Sequence, residues 1–95
     1  MVDITVILTV KSSDDVEKVR QLLVQQAILS RQEPGCERFE VYESSSTERT
    51  FILIERWVNQ DALDVHRTAH AFTTVYAPQV LPLVDRVPYV CSRVE

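Results

Sequence analysis

Along the chain, apolar residues recur first with the period of a β-strand and then with the period of an α-helix. Apolar and polar residues alternate from Val2 to Val10, a period of two that predicts a strand. Ser12 to Asp15 then supply the capping oxygens and early carboxylates typical of a helix start. From Val16 to Ala27 the apolar residues recur at helical spacing, and Pro34-Gly35 ends that helix and turns the chain.

The second half of the chain again contains strand-like and helix-like segments, in the order strand, strand, helix and strand. Two strands are predicted, from about Cys36 to Glu43 and from Phe51 to Trp57, and the polar segment Ser44–Arg49 between them is typical of a hairpin loop. Asn59 is a good N-cap for a second helix. A final strand is predicted over residues 87–94.

The resulting order, βαββαβ, predicts an α+β fold of the ferredoxin-like kind. Its four strands would form one antiparallel sheet with both helices on the same face. The 95 residues are predicted to form a single domain over residues 1–95, because a chain of this length fits one hydrophobic core.

The apolar pattern of the third strand predicts a partner that covers the exposed face of the sheet. In a sheet with helices on one face only, each strand should alternate apolar and polar residues, but Phe51-Ile52-Leu53-Ile54 is apolar on both faces. Ile7 interrupts the polar face of the first strand in the same way. A second copy packed sheet to sheet is the simplest cover, which predicts a homodimer. The alternative is an apolar run of no consequence on a central strand.

Composition limits the other partners. Hydrophobic residues make up 45% of the chain and charged residues 25%, a globular balance. The net charge of −4 and the lack of a basic run argue against nucleic acid or an anionic membrane as partner. With no signal-like start and no apolar stretch of about 18 residues, the predicted location is cytoplasmic.

Cys36 and Cys91 are expected to be buried thiols, with a reactive thiol at Cys36 as the alternative.

Several cofactor motifs are missing. The chain contains no P-loop, no GxGxxG, no CxxC and no HExxH. Gly35 is its only glycine, so a glycine-rich phosphate cradle cannot be built. Nucleotide-dependent chemistry is therefore disfavoured.

His66 and His70 are the candidate catalytic residues. Their spacing of four places both on one face of the predicted second helix, whose later part Pro78 and Pro82 break or bend. Imidazole exchanges a proton near neutral pH and can serve as a general base. The alternative is a pair of half-exposed histidines with a structural role. No third ligand is evident, so no metal site is predicted.

Four further residues are candidates for substrate binding: Trp57, Tyr42, Glu55 and Tyr76. Trp57 and Tyr42 could form the walls of an aromatic site or belong to the packing of the protein. Glu55 projects to the same face as Trp57 and is either functional or paired with Arg38 or Arg56. Tyr76 is placed to close the end of a cavity.

Four short segments, in their order and spacing, resemble the antibiotic biosynthesis monooxygenase family, which includes quinol monooxygenases. They are Glu33-Pro34-Gly35-Cys36, Phe39-Glu40-Val41-Tyr42, Ile54-Glu55-Arg56-Trp57 and Ala62-Leu63-x-x-His66-x-x-x-His70. The resemblance implies a dimeric α+β barrel with a cavity between sheet and helices in each subunit. It also implies oxidation of quinols or phenols by dioxygen without a cofactor. Trp57, His66 and His70 match the family's strand-end tryptophan and helix histidines.

The chain departs from parts of the family. Members that oxidise polyketides or degrade haem have an asparagine on the first strand, and the strand here has none. Haem-degrading members have a tryptophan at the position of His66. Ala69 stands where many relatives have proline. The resemblance therefore points away from haem and from large polyketides.

Three functional hypotheses follow. The first is a cofactor-free monooxygenase acting on a small quinol or phenol, with His66 as base and His70 as its orienter or a substrate partner. The second is an isomerase or lyase of the same fold that acts on a small carbonyl or sugar-phosphate compound, which Arg38 or Arg56 at the cavity would favour. The third is a non-catalytic dimeric module that binds a ligand.

Overall fold

The structure, a computed structural model, describes residues 1–95, and its elements follow the predicted order. They are strand β1 (Val2–Val10), helix α1 (Val16–Ser30), strand β2 (Cys36–Glu43), strand β3 (Thr50–Trp57), helix α2 (Gln60–His66), a π-helix (Ala71–Val80) and strand β4 (Val84–Cys91). Short 3₁₀ turns precede α1 and β4. None of the helices is long and apolar enough to cross a membrane.

The four strands form one antiparallel sheet in the order β2-β3-β1-β4. Ile4 of β1 lies opposite Glu55 of β3 on one side and opposite Val90 of β4 on the other. Directly opposed residues point to the same face of a sheet, so this register fixes which side chains face the helices. The predicted ferredoxin-like α+β fold is confirmed.

The hydrophobic core lies between this sheet and the helical layer. The buried apolar residues of β1 and β3 alternate along each strand, as the period of two predicts. Helix α1 contributes Val19, Leu23 and Ala27 to the same core. The core comprises Ile4, Val6, Leu8, Val10, Val19, Leu23, Ala27, Phe39, Phe51, Leu53, Trp57, Leu63, Tyr76, Val80 and Val84.

Two predicted capping positions lie where the sequence places them. The hydroxyl of Ser12 accepts a hydrogen bond from the Asp14 backbone N–H at the entrance to α1. The Asn59 side-chain oxygen accepts one from the Ala62 N–H at 2.9 Å and starts α2. Each cap satisfies a backbone donor that the first turn of a helix leaves without a partner.

The second helix is shorter than predicted. It ends at His66, because the backbone N–H groups of Thr68 and Ala69 donate to carbonyls three residues earlier and tighten the chain into a turn. The chain then continues as a π-helix, which contains Pro78. The expectation of one helix that carries both His66 and His70 is therefore wrong. The last strand also begins at Val84, three residues before the predicted start.

The sheet surface opposite the helices, which we call the open face, carries a band of apolar residues. Phe51 and Leu53 of β3 are buried under the helices, whereas Ile52 and Ile54 point to the open face. Its other large apolar and aromatic members are Ile7, Tyr42, Val87 and Tyr89. Tyr42, Val87 and Tyr89 are 50%, 47% and 51% exposed.

Candidate functional site

His66 is buried at the end of α2 and is held by a carboxylate. Its Nδ1 lies 2.8 Å from Oε1 of Glu33, and the whole residue is only 3% exposed. A carboxylate can only accept, so Nδ1 carries the hydrogen and donates it to Glu33. In the neutral imidazole, that bond fixes the tautomer and leaves Nε2 as the nitrogen with a free lone pair.

The turn before β2 positions Glu33. Pro34 and Gly35 occupy its centre, the Cys36 N–H donates to the Glu33 carbonyl, and Gly35 has a φ of 81°. These features are typical of a type II turn, which requires a positive φ at its third residue. The Val58 N–H donates to the Gly35 carbonyl at 2.8 Å, which joins the turn to the segment that leads into α2. Glu33 and His66 are thereby brought together.

Aromatic rings enclose the imidazole. The Trp57 ring, which is fully buried, lies with its centroid 4.3 Å from that of His66 at an interplanar angle of 32°. The ring of Phe72 approaches His66 edge-on at 5.7 Å. This packing holds the plane of the imidazole on two sides, so its orientation is determined by contacts and by the bond to Glu33.

Glu55 is buried on the same face of β3 as Trp57. Its Oε1 accepts a hydrogen bond from the Trp57 indole N–H at 3.1 Å. Burial raises the pKa of Glu55, and the bond from Trp57 opposes that rise only in part. The expected pairing of Glu55 with Arg38 or Arg56 is wrong, because both arginines point to the open face. There they bind Glu40 and Asp3 respectively.

A small cavity opens beside His66. It is lined by Ile4, Gln26, Glu55, Leu63, His66, Arg67, Phe72, Tyr76 and Arg86. Its volume is about 20 Å³, which is room for one water molecule. Wider grooves of about 440 Å³ on the open face and about 260 Å³ beside Gly35 contain neither histidine. We call the small one the His66 cavity.

The mouth of the His66 cavity is positively charged. Arg67 and Arg86 are exposed at its rim, and the Arg86 Nε donates to the Tyr76 hydroxyl at 2.9 Å. Burial raises the pKa of Tyr76, although the Arg86 guanidinium acts in the opposite direction. The phenol of Tyr76 is therefore neutral at physiological pH, and the cations at the rim would attract an anionic ligand.

The predicted site residues fall into two groups. His66, Glu55 and Tyr76 line the cavity, and Trp57 packs on the His66 ring behind it. Two others lie elsewhere. Tyr42 is on the open face, because it alternates with the buried Phe39 and the partly buried Val41, and its hydroxyl donates to Glu40 at 2.8 Å. His70 is exposed, because the chain leaves the helical path after His66.

Sequence reasoning missed three residues of this region. Glu33 forms the bond to His66, and it was present in the segment Glu33-Pro34-Gly35-Cys36 without a role. Gln26 lies three residues after Leu23 and seven after Val19, so helical periodicity placed it on the buried stripe. Arg86 lies just before the predicted start of the last strand, and no sequence signal placed it near Tyr76.

The two thiols differ in their surroundings. Cys36 is half-buried, and burial together with the nearby Glu33 carboxylate raises its pKa to about 11. Since the thiolate is the reactive form, the raised pKa favours the less reactive thiol form of Cys36 at neutral pH. Cys91 is exposed at the end of β4, so its predicted burial is wrong for the single chain.

Nowhere do three His, Cys, Asp or Glu side chains converge as a metal site would require.

Glu55→Gln is expected to make the chain more stable, increasingly so as pH rises from about 4.5. The raised pKa means that the folded chain holds the proton more tightly than the unfolded chain. The stabilisation that this proton provides is therefore complete below the pKa of Glu55 in the unfolded chain. It is lost as the pH rises through the pKa of Glu55 in the folded chain. Glutamine stays neutral and can still accept from Trp57. Urea unfolding of both proteins between pH 4 and 8 measures the difference, and a gap that does not grow with pH would contradict it.

The family model for antibiotic biosynthesis monooxygenases matches residues 3–77, most of the chain. The matched region contains the Glu33 turn, β3 with Glu55 and Trp57, α2 with His66, and Tyr76 of the π-helix. It excludes Arg86. Among proteins with curated functions, none matches this chain.

Solved structures share the fold over nearly the full length. One, described as an antibiotic biosynthesis monooxygenase, is 22% identical with a TM-score of 0.90, and all of both chains is covered. A Deinococcus radiodurans protein assigned to the same family is 27% identical with a TM-score of 0.84, covering 100% of this chain and 96% of that one. SnoaB of Streptomyces nogalater, a cofactor-independent oxygenase solved as a mutant, is 15% identical with a TM-score of 0.85, covering 99% and 93%.

Proposed function

The chain belongs to the antibiotic biosynthesis monooxygenase family, and we propose that it oxidises a small quinol or phenol with dioxygen and without a bound cofactor. The observation that carries the proposal is the buried pair of Glu33 and His66, whose imidazole borders a cavity. SnoaB, which shares the fold, is itself a cofactor-independent oxygenase.

His66 is the proposed general base. Glu33 occupies Nδ1, so Nε2 takes the proton of a phenolic hydroxyl, and the carboxylate stabilises the imidazolium that forms. The same arrangement of base and orienting carboxylate activates hydroxyl groups in other enzymes. Glu33 takes the orienting role that the sequence suggested for His70.

Deprotonation makes the substrate a reductant. A phenolate gives one electron to dioxygen far more readily than a phenol does, and the two radicals then join through a carbon–oxygen bond. Loss of water leaves a quinone, so one oxygen atom enters the ring and the other departs with two hydrogens. The protein supplies a base, an apolar wall and a fixed orientation for this sequence of steps.

Substrate entry requires the rim to move. The His66 cavity, at about 20 Å³, is smaller than an aromatic ring. Arg67 and Arg86 are exposed, and Phe72 is half-buried on the π-helix, so these three side chains can turn outward. Helical segments of the π type often lie at functional sites, which fits a wall that must adapt.

Oxygen consumption tests the proposed function. Metal-free protein in an oxygen electrode, supplied with a panel of quinols, phenols and naphthols, is expected to consume dioxygen faster than each compound does alone. The control is the same protein after heat denaturation. Uptake equal to the spontaneous background for every compound would contradict the proposal.

We further propose that the open face is the homodimer interface, since its apolar side chains would otherwise meet water. Ile54→Lys is expected to convert the dimer to a monomer, because a lysine at the centre of the interface would have to lose its hydration. Ile28→Lys is the matched control, since Ile28 is 49% exposed on α1, on the opposite side of the molecule. Sedimentation equilibrium measures both. A monomeric parent, or a dimeric Ile54→Lys, would contradict the assignment.

A second candidate function is an isomerase or lyase acting on a small anionic carbonyl compound. The observation that favours it is the pair of arginines at the mouth of the His66 cavity, Arg67 and Arg86. This function predicts turnover under nitrogen, which an oxygenase cannot sustain. A ligand-binding module would instead be stabilised by its ligand and form no product in either atmosphere.

A further inference from the structure

Gln26 carries a buried side-chain oxygen that makes no hydrogen bond within the protein. The residue is 1% exposed on the inner stripe of α1, and its side-chain oxygen has no hydrogen-bond partner. It also lines the His66 cavity. A buried carbonyl oxygen without a partner costs about 1–3 kcal/mol, so an apolar residue of the same size would make a more stable core.

The position of Gln26 distinguishes it from an incidental defect. Ser30, one helical turn further along α1, also has a buried side-chain oxygen without a partner, but it does not line the cavity. Gln26 and His66 border the same small space from two different helices. A ligand in that space can therefore contact both side chains at once.

We propose that Gln26 is a substrate-binding residue that accepts a hydrogen bond from a second hydroxyl of the substrate, on the far side of the ring from His66. This inference rests on the proposed function and narrows its substrate class to dihydroxylated arenes. The atom of Gln26 that is fully buried without a partner is its carbonyl oxygen, an acceptor, so the group that satisfies it is a donor, as a hydroxyl is and an ether is not. The group is neutral, because a carboxylate would be repelled by the amide oxygen and drawn to Arg86.

The test compares two ligands and three proteins under nitrogen, where no oxidation occurs. Hydroquinone and phenol differ only in the second hydroxyl, and their binding is measured by isothermal calorimetry. The parent is expected to bind hydroquinone about 5- to 30-fold more tightly than phenol, which is what one buried hydrogen bond supplies. In Gln26→Met, which keeps the length of the side chain, this preference is expected to disappear.

Thermal unfolding distinguishes a binding role of Gln26 from a structural role. Replacing a residue that stabilises the fold would lower the unfolding temperature. Gln26→Met is expected to unfold at the same temperature as the parent or a higher one, because a partnerless polar group leaves the core. Ser30→Ala is the matched control, since it removes the other partnerless oxygen but should keep the preference for hydroquinone.

Three outcomes would overturn the inference: a Gln26→Met protein that retains the preference, one that unfolds well below the parent temperature, or a parent with no preference. The first two leave the oxygenase proposal intact. Conversely, a preference that depends on Gln26 in a protein that consumes no dioxygen would contradict the oxygenase proposal and support the binding role.

Discussion

His66→Ala is expected to lower kcat for oxygen consumption by about 100- to 10,000-fold, the range that a positioned general base contributes. The substitution removes the imidazole that borders the cavity, and Glu33, which remains, is not among the residues that line it. Steady-state oxygen uptake with the most active compound of the panel measures the effect. Binding of the substrate should change much less, because Trp57, Phe72 and the rim remain.

Two controls separate loss of the base from loss of packing. His66→Phe keeps an aromatic ring against Trp57, whose centroid lies 4.3 Å from the imidazole, and removes both nitrogens. It should be as inactive as His66→Ala and more stable. His70→Ala changes an exposed histidine four residues away and should retain the parent rate. Activity of His66→Phe close to that of the parent would exclude His66 as the base.

Gly35→Ala is expected to destabilise the chain by about 2–6 kcal/mol, a large part of the stability of a small domain. A Cβ at this position would lie 2.6 Å from the Ala62 Cβ and 2.8 Å from the Val58 Cγ1. Overpacking of that kind and a positive φ on a residue other than glycine each cost about 1–3 kcal/mol. Urea unfolding measures the loss.

The turn at Gly35 also holds Glu33, so the surviving folded protein should turn over more slowly as well. The double substitution Gly35→Ala with Ala62→Gly removes the nearest contact. It should recover part of the stability, and the strain of the backbone should remain. If Gly35→Ala unfolded with the same urea midpoint as the parent, the close packing of the turn against α2 would be wrong.

The fold could be predicted because each of its elements carries its own signal. The alternation along β1, the inner stripe of α1 and the caps at Ser12 and Asn59 are local, and the structure has all of them. The end of α2 is different. The turn after His66 depends on backbone hydrogen bonds made by Thr68 and Ala69. No pattern of residues in the sequence predicts these bonds.

Part of the site could also be predicted, because alternation along a strand is a local signal. Glu55 and Trp57 share a face of β3 by simple alternation, and that same rule places Tyr42 on the opposite side of the sheet from Phe39. Contacts between distant elements were beyond reach. The bond from His66 to Glu33 spans 33 positions, and the approach of Arg86 to Tyr76 depends on how β4 enters the sheet.

The fate of the oxygen atoms distinguishes an oxygenase from every other activity considered for this fold. Metal-free protein would be supplied with the panel under dioxygen labelled with oxygen-18, and the products examined by mass spectrometry. An oxygenase with His66 as base should form a quinone that carries one labelled oxygen, only with active protein, and this product should nearly disappear in His66→Ala. Label no greater than in the protein-free reaction for every compound, or equal label in His66→Ala, would contradict it.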